Sequence, residues 1–141
     1  MARRDVFIEL LAQVPLFSAC SRKDLGLVAR RADEIEVEAG KVLITEGTHG
    51  HEFFVIMDGT ADVTRSNTKV ATLGPGASFG ELALLDKEPR NATVVATKPM
   101  KLVVLGQREF GGLLDEVPGF SRKLLAGMAH RLRESDLRSV Q

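Results

Sequence analysis

Apolar residues recur at helical spacing near both ends of the chain and at strand spacing through its middle. Phe7, Leu10, Leu11 and Val14 fall at i, i+3, i+4 and i+7. This predicts an amphipathic helix over Asp5 to Gln13, stopping before Pro15 because a residue ahead of proline is pushed out of the helical region. Leu16 and Phe17 then require burial. Ser21 with Asp24 three residues on resembles a capping box, and Leu25, Val28 and Ala32 share one face beyond it, so a second helix is expected over about Arg22 to Arg31.

Between Asp33 and Leu105 the period shortens and glycines punctuate it. Glu34 to Val37 alternates, Val42 to Thr45 is compact, and Phe53 to Met57 is continuously apolar and ends at Asp58-Gly59, a hairpin-turn signal. Ala61 to Arg65, Lys69 to Leu73, Ala92 to Ala96 and Met100 to Leu105 complete the strand-like runs. Closely spaced strands with turns between them indicate a sandwich or jelly roll. Helix returns at Glu109 to Leu114, weakened by Gly111-Gly112, and then in a longer helix with Pro118 as an early residue. Phe120, Leu124, Leu125, Met128 and Leu132 form its apolar stripe, while Arg122, Lys123, Arg131, Arg133 and Arg138, interleaved with Glu134 and Asp136, read as a solvated face, with a partner-docking surface as the alternative.

Composition narrows the classes. The chain has 141 residues, 44% of them hydrophobic, enough for one domain with a proper core. Lys and Arg together number 19 and so do Asp and Glu, which gives no electrostatic case for nucleic acid. No apolar run approaches a membrane span, and Glu9 interrupts the pattern that follows Met1-Ala2-Arg3-Arg4, unlike a signal-peptide core. The single Cys20 cannot form an internal disulfide, which fits a reducing cytosol, and it is read as structural.

The chemistry concentrates in Phe79 to Thr93. Gly80 permits close backbone approach or a positive φ. A helical turn begun by Leu82 to Leu85 would turn free N–H groups toward an anion. Arg90 offers a bidentate, charge-assisted pair to a phosphate. Glu81 would repel that phosphate, but it makes sense as an acceptor for a hydroxyl of the same ligand. The run Phe-Gly-Glu-Leu-Ala-Leu-Leu, a spacer, and Pro-Arg-Asn-Ala-Thr closely resembles the phosphate-binding cassette of the cyclic nucleotide-binding domain family, as found in catabolite activator protein and protein kinase A regulatory subunits. Glu46-Gly47 ahead of Gly50, the Phe53 to Ile56 strand and Gly59 before Ala61-Asp62-Val63 extend the resemblance over nearly the whole chain.

The resemblance implies an α+β fold: an antiparallel β-roll or jelly roll (double-stranded β-helix) with two N-terminal helices, a short cassette helix and two C-terminal helices. One domain is expected over 1–141, with helices at about 5–31, the roll at about 33–105 and C-terminal helices at about 107–137. By position, Gly80 and Ala83 would give backbone contacts to the cyclic phosphate or ribose, and Glu81 would take the ribose 2′-hydroxyl. Arg90 would take the exocyclic phosphate oxygens, and Ala92 would supply an N–H. Val63, Val70 and Leu82 would wall the base pocket, although ordinary core explains their composition equally well. Asn91 stands where relatives commonly have a small residue, serine or threonine. It could bond the phosphate, reach a purine edge or crowd the pocket, so cAMP is preferred over cGMP only modestly.

The expected function is a non-catalytic cyclic nucleotide sensor that needs no cofactor. It would signal through its last helix to an effector protein, or to a second copy joined along Leu124, Met128 and Leu132. Catabolite-activator-type relatives carry a helix-turn-helix beyond this helix; with the chain ending at Gln141, no direct DNA binding is expected. Two other readings stand beside it. One is a fold-only scaffold or interaction module in which Asn91 obstructs the site. The other is a cupin-like metal enzyme begun by His49-Gly50-His51, which lacks a further carboxylate at cupin spacing. No nucleophile elbow or histidine partner for Cys20 supports covalent catalysis.

Overall fold

The structure, a computed structural model, describes residues 3–140, with side chains described as far as Glu134. Asp136 and Arg138 of the expected basic face therefore lie outside the described side chains. The chain forms two compact units, one from Met1–Arg30 with Gly112–Gln141 and one from Arg31–Gly111.

The first unit is helical. α1 (Arg3–Ala12) buries Phe7, Ile8 and Leu11, and a 3-10 turn at Pro15–Phe17 buries Leu16 and Phe17. α2 (Arg22–Arg30) opens with the expected capping box. The Ser21 N–H donates to Asp24 Oδ2 at 2.9 Å, and the Asp24 N–H donates to Ser21 Oγ at 3.2 Å. Each satisfies a donor that the first helical turn leaves unpaired.

α3 (Gln107–Glu116) runs through Gly111-Gly112 and links the two units. Full burial of Phe110 and Leu113 offsets the helix penalty of the glycines, roughly 1 kcal/mol each. α4 (Phe120–Val140) starts later than expected: Pro118 lies in the preceding turn, where Gly119 takes φ +80°. The apolar stripe also shifts. Phe120, Leu124 and Gly127 are buried, whereas Leu125 and Leu132 are each 64% exposed. Gly127 is the reason, since a Cβ there would meet the Leu16 carbonyl at 2.5 Å, so the face that docks on the 3-10 turn is the one carrying glycine.

The second unit holds two four-stranded antiparallel sheets. Its strands are β1 (Asp33–Val37), β2 (Val42–Ile44), β3 (Glu52–Asp58), β4 (Ala61–Arg65), β5 (Thr68–Leu73), β6 (Ser78–Phe79), β7 (Thr93–Ala96) and β8 (Met100–Gly106). One sheet has the order β1-β8-β3-β6 and the other β2-β7-β4-β5. Phe54, Ile56, Ala61, Phe79, Val94, Ala96, Met100, Leu102 and Val104 form one cluster from both sheets. Phe53 and Val55, on the opposite face of β3, are buried as well, which is why that run is continuously apolar rather than alternating.

Asp58-Gly59 is not a hairpin turn. β3 and β4 lie in different sheets, so Gly59, at φ +95°, turns a corner between them. The Thr97 N–H donates to the Thr60 carbonyl at 2.9 Å, which stitches this corner to the one joining β7 and β8. The true hairpin is β4–β5, closed by Ser66 and Asn67 at φ +52° and +64°. That is the two-residue turn whose twist suits antiparallel strands.

Candidate functional site

β6 was not anticipated, and it positions the cassette. Only two residues long, it pairs with β3 through Phe54 opposite Phe79, whose rings stack with centroids 5.0 Å apart. Gly80 follows at the sheet end in the left-handed region, φ +83°, and Glu81–Leu84 form one 3-10 turn. The expected helix from Leu82 is thus shorter and tighter, too short for peptide dipoles to accumulate. The Ala83 N–H donates to the Gly80 carbonyl at 3.1 Å. Glu81 is half-buried, Ala83 and Leu84 are buried, and Leu82 is 51% exposed.

Arg90 returns to this turn from ten residues on. Its side chain is 9% exposed, with Nη2 donating to the Glu52 carbonyl at 2.8 Å and Nη1 to the Gly80 carbonyl at 3.4 Å. Desolvation pushes its pKa below the usual guanidinium value, while the Glu52 carboxylate acts in the opposite direction. The backbone is tied as well: the Arg90 N–H donates to the Thr48 carbonyl at 2.7 Å, and the Arg90 carbonyl accepts from the Gly47 N–H at 2.8 Å.

Glycine is required twice around this side chain. A Cβ on Gly50 would collide with the guanidinium, and one on Gly80 would sit 2.9 Å from Arg90 Nη1 and 3.0 Å from the Glu52 carbonyl oxygen. Both were legible in the sequence, Gly50 as part of the family resemblance and Gly80 as the glycine opening the cassette. The carbonyl acceptors had no signal, because every residue carries one.

Of the other expected site residues, Asn91 is exposed and Ala92 is buried just before β7. Val63 sits on β4 opposite Val94 and packs against the core cluster. Val70 falls in the register shift of β5 and is 52% exposed. β5 is the edge strand, two strand spacings or roughly 10 Å from β7. The fold therefore gathers Gly80, Glu81, Ala83 and Arg90 at one sheet end, while Val70 lies on the edge strand of the other sheet. His49 and His51 are exposed in the β2–β3 loop, and no group of three metal-ligating side chains occurs among the described residues.

The helical unit carries a different charged cluster. Asp24, 7% exposed, accepts from Lys123 Nζ at 2.5 Å in addition to its capping-box bonds. Burial alone would raise its pKa, but the bonds from Lys123 and Ser21 outweigh it and hold the carboxyl below its usual range. Cys20 nearby is pushed up to about 11 by burial and by Asp24, against the opposing pull of Lys123, so its thiol stays protonated at neutral pH. No described helix is long and apolar enough to cross a membrane.

Comparison with known proteins bears on the sheet-end cluster. A family model described as "Cyclic nucleotide-binding domain" matches residues 34–117. The chain is 34% identical over 122 residues to the cAMP-dependent protein kinase regulatory subunit of Hypocrea atroviridis, covering 86% of this chain and 26% of that protein. It therefore spans about a quarter of that relative's length. Among solved structures, the N-terminal domain of a transcriptional regulator from Streptomyces coelicolor A3(2) superposes with TM-score 0.81 at 30% identity, covering 90% of this chain and 92% of that one. The regulatory domain of Toxoplasma gondii PKA, co-crystallised with cAMP, superposes with TM-score 0.74 at 27% identity, covering 92% of this chain and 50% of that one.

Proposed function

The chain belongs to the cyclic nucleotide-binding domain family, and from that premise we propose that it is a non-catalytic sensor that binds cAMP, with cGMP as the weaker ligand. The observation that carries this reading is the seat of Arg90. A guanidinium stays charged even when desolvated, and here its hydrogen bonds go to two carbonyl oxygens, which supply partial charges only. A phosphate monoanion arriving at the same sheet end supplies the full opposite charge. Gly80 and the 3-10 turn leave the backbone bare for close approach. The ligand is a signal rather than a resident cofactor.

In this reading Arg90 takes the exocyclic phosphate oxygens, Glu81 takes the ribose 2′-hydroxyl, and Ala83 and Ala92 offer N–H groups. The Ala83 amide must first leave the Gly80 carbonyl, so binding is coupled to a rearrangement of the cassette. Val63 and Leu82 meet the base, Asn91 stands at its edge, and Val70 contributes least. The rearrangement biases the last helix between two positions, and a cytoplasmic effector protein or a second copy reads the difference. Calorimetry with cAMP and with cGMP tests the proposal. Saturable binding at one site per chain, tighter for cAMP, is expected; heat of binding absent for both at high micromolar concentration in folded protein overturns it.

A further inference from the structure

Arg65, which no feature of the sequence singles out, is bound to the cassette. It ends β4, and the register sets Thr64 opposite Thr93, so Arg65 emerges beside the residues leading into β7. Its Nε donates to the Asn91 carbonyl at 3.0 Å. Next to it, the Ser66 N–H donates to Glu46 Oε1 at 2.9 Å, while the Glu46 N–H donates to Thr93 Oγ1 at 2.9 Å. The tip of the β4–β5 hairpin is thus tied to both sides of Ala92.

The carbonyl held by Arg65 belongs to the Asn91–Ala92 peptide. That peptide is planar and trans, as no cis bond occurs among the described residues, so the Ala92 N–H points opposite to the Asn91 carbonyl. Fixing the carbonyl therefore fixes the direction of the amide. A charged donor on the oxygen also polarises the peptide and strengthens its N–H as a donor. Ala92 has no polar side-chain atom, so this N–H is the only hydrogen-bond donor it can offer.

We propose that Arg65 is a positioning residue for the anionic ligand: from the far side of the Asn91–Ala92 peptide it aims and strengthens the Ala92 N–H that meets the phosphate. The inference rests on the nucleotide reading above, in which Ala92 supplies that N–H. A neutral glutamine at position 65 forfeits the charge, whereas a lysine keeps both charge and donor but not the planar fork.

The test titrates cAMP and cGMP into the parent protein, Arg65→Gln and Arg65→Lys, and follows the Ala92 amide proton by NMR. Arg65→Gln is expected to bind about five- to tenfold more weakly, consistent with loss of one charge-assisted hydrogen bond acting at one remove. The binding-induced downfield shift of the Ala92 amide should shrink, Arg65→Lys should recover most of both effects, and the free variants should melt close to the parent. If the parent binds cAMP and both variants bind as tightly with the same Ala92 shift, this inference fails alone. It also fails alone if affinity drops while the Ala92 shift is unchanged. If the parent binds neither nucleotide, the nucleotide reading fails and this inference with it.

Discussion

Asp24 in the helical unit and Arg90 in the β unit are the two charged side chains buried among the described residues. The protein treats them in opposite ways. The Asp24 carboxylate accepts from the Lys123 ammonium and from the Ser21 backbone amide, while the Asp24 amide donates to the Ser21 hydroxyl, so its charge is neutralised within the unit and α2 is fastened to α4. Arg90 is seated just as tightly, between Gly50 and Gly80, but its hydrogen bonds go to carbonyl dipoles, and the Glu52 carboxylate acts on it through its charge without a hydrogen bond. A buried charge given a full partner by its own chain is a structural fastener. One held in place with only partial compensation is poised for a ligand that brings the rest.

Removing Asp24 should give the largest loss of stability. Asp24→Ala deletes the ion pair and half the capping box and leaves the Lys123 ammonium unpaired, which should cost about 2–3 kcal/mol given that the lysine is partly exposed. Urea denaturation measures it, and a cost near zero would remove the contrast between the two charges. Arg90→Ala should instead act on the ligand, weakening cAMP binding by about 1.5–3 kcal/mol, roughly ten- to 150-fold, with a smaller effect on urea stability. An affinity equal to the parent's would mean that Arg90 is a second fastener.

Gly80→Ala sharpens the picture on the Arg90 side. It adds a Cβ at φ +83° where the left-handed region costs an L-residue about 1–2 kcal/mol, and it displaces the guanidinium. Thermal melting should fall modestly and cAMP affinity should fall with it. The smallest effect is a pH dependence from Asp24. Its folded pKa lies below the ordinary carboxylate value of about 3.9. The stability it contributes is therefore fully present above that value and is lost as pH falls through the lower, folded one. Parent protein should show this acid loss in urea melts as pH falls below about 4, and Asp24→Asn should lack that part of it.

Much of this architecture is legible in local sequence. The capping box at Ser21 and Asp24 and most of the strand runs depend on neighbours three residues apart or fewer, and they appear where the pattern puts them. Features that depend on a distant partner were misread or missed. Asp58-Gly59 suits a hairpin or a corner equally, and only the pairing of β3 with β8 and of β4 with β7 decides between them. Ser66 and Asn67 lack the glycine that usually announces a positive φ. Leu125 and Leu132 match the helical period, yet the close approach at Gly127 turns the buried face away from them.

By itself the sequence determined the order of the helices, the order of every strand except β6, and the family, because these follow from residue types at short fixed spacings. Gly80 and Arg90 were readable as candidates for an anion site on chemistry alone. Only the tertiary structure decided that Arg90 sits on the carbonyls of Glu52 and Gly80, that Gly50 clears its place, and that Arg65 reaches the Asn91 carbonyl from another strand. Those are bonds to backbone atoms brought together by sheet register. A carbonyl has the same identity at every position, so the sequence carries no mark of which one will be used.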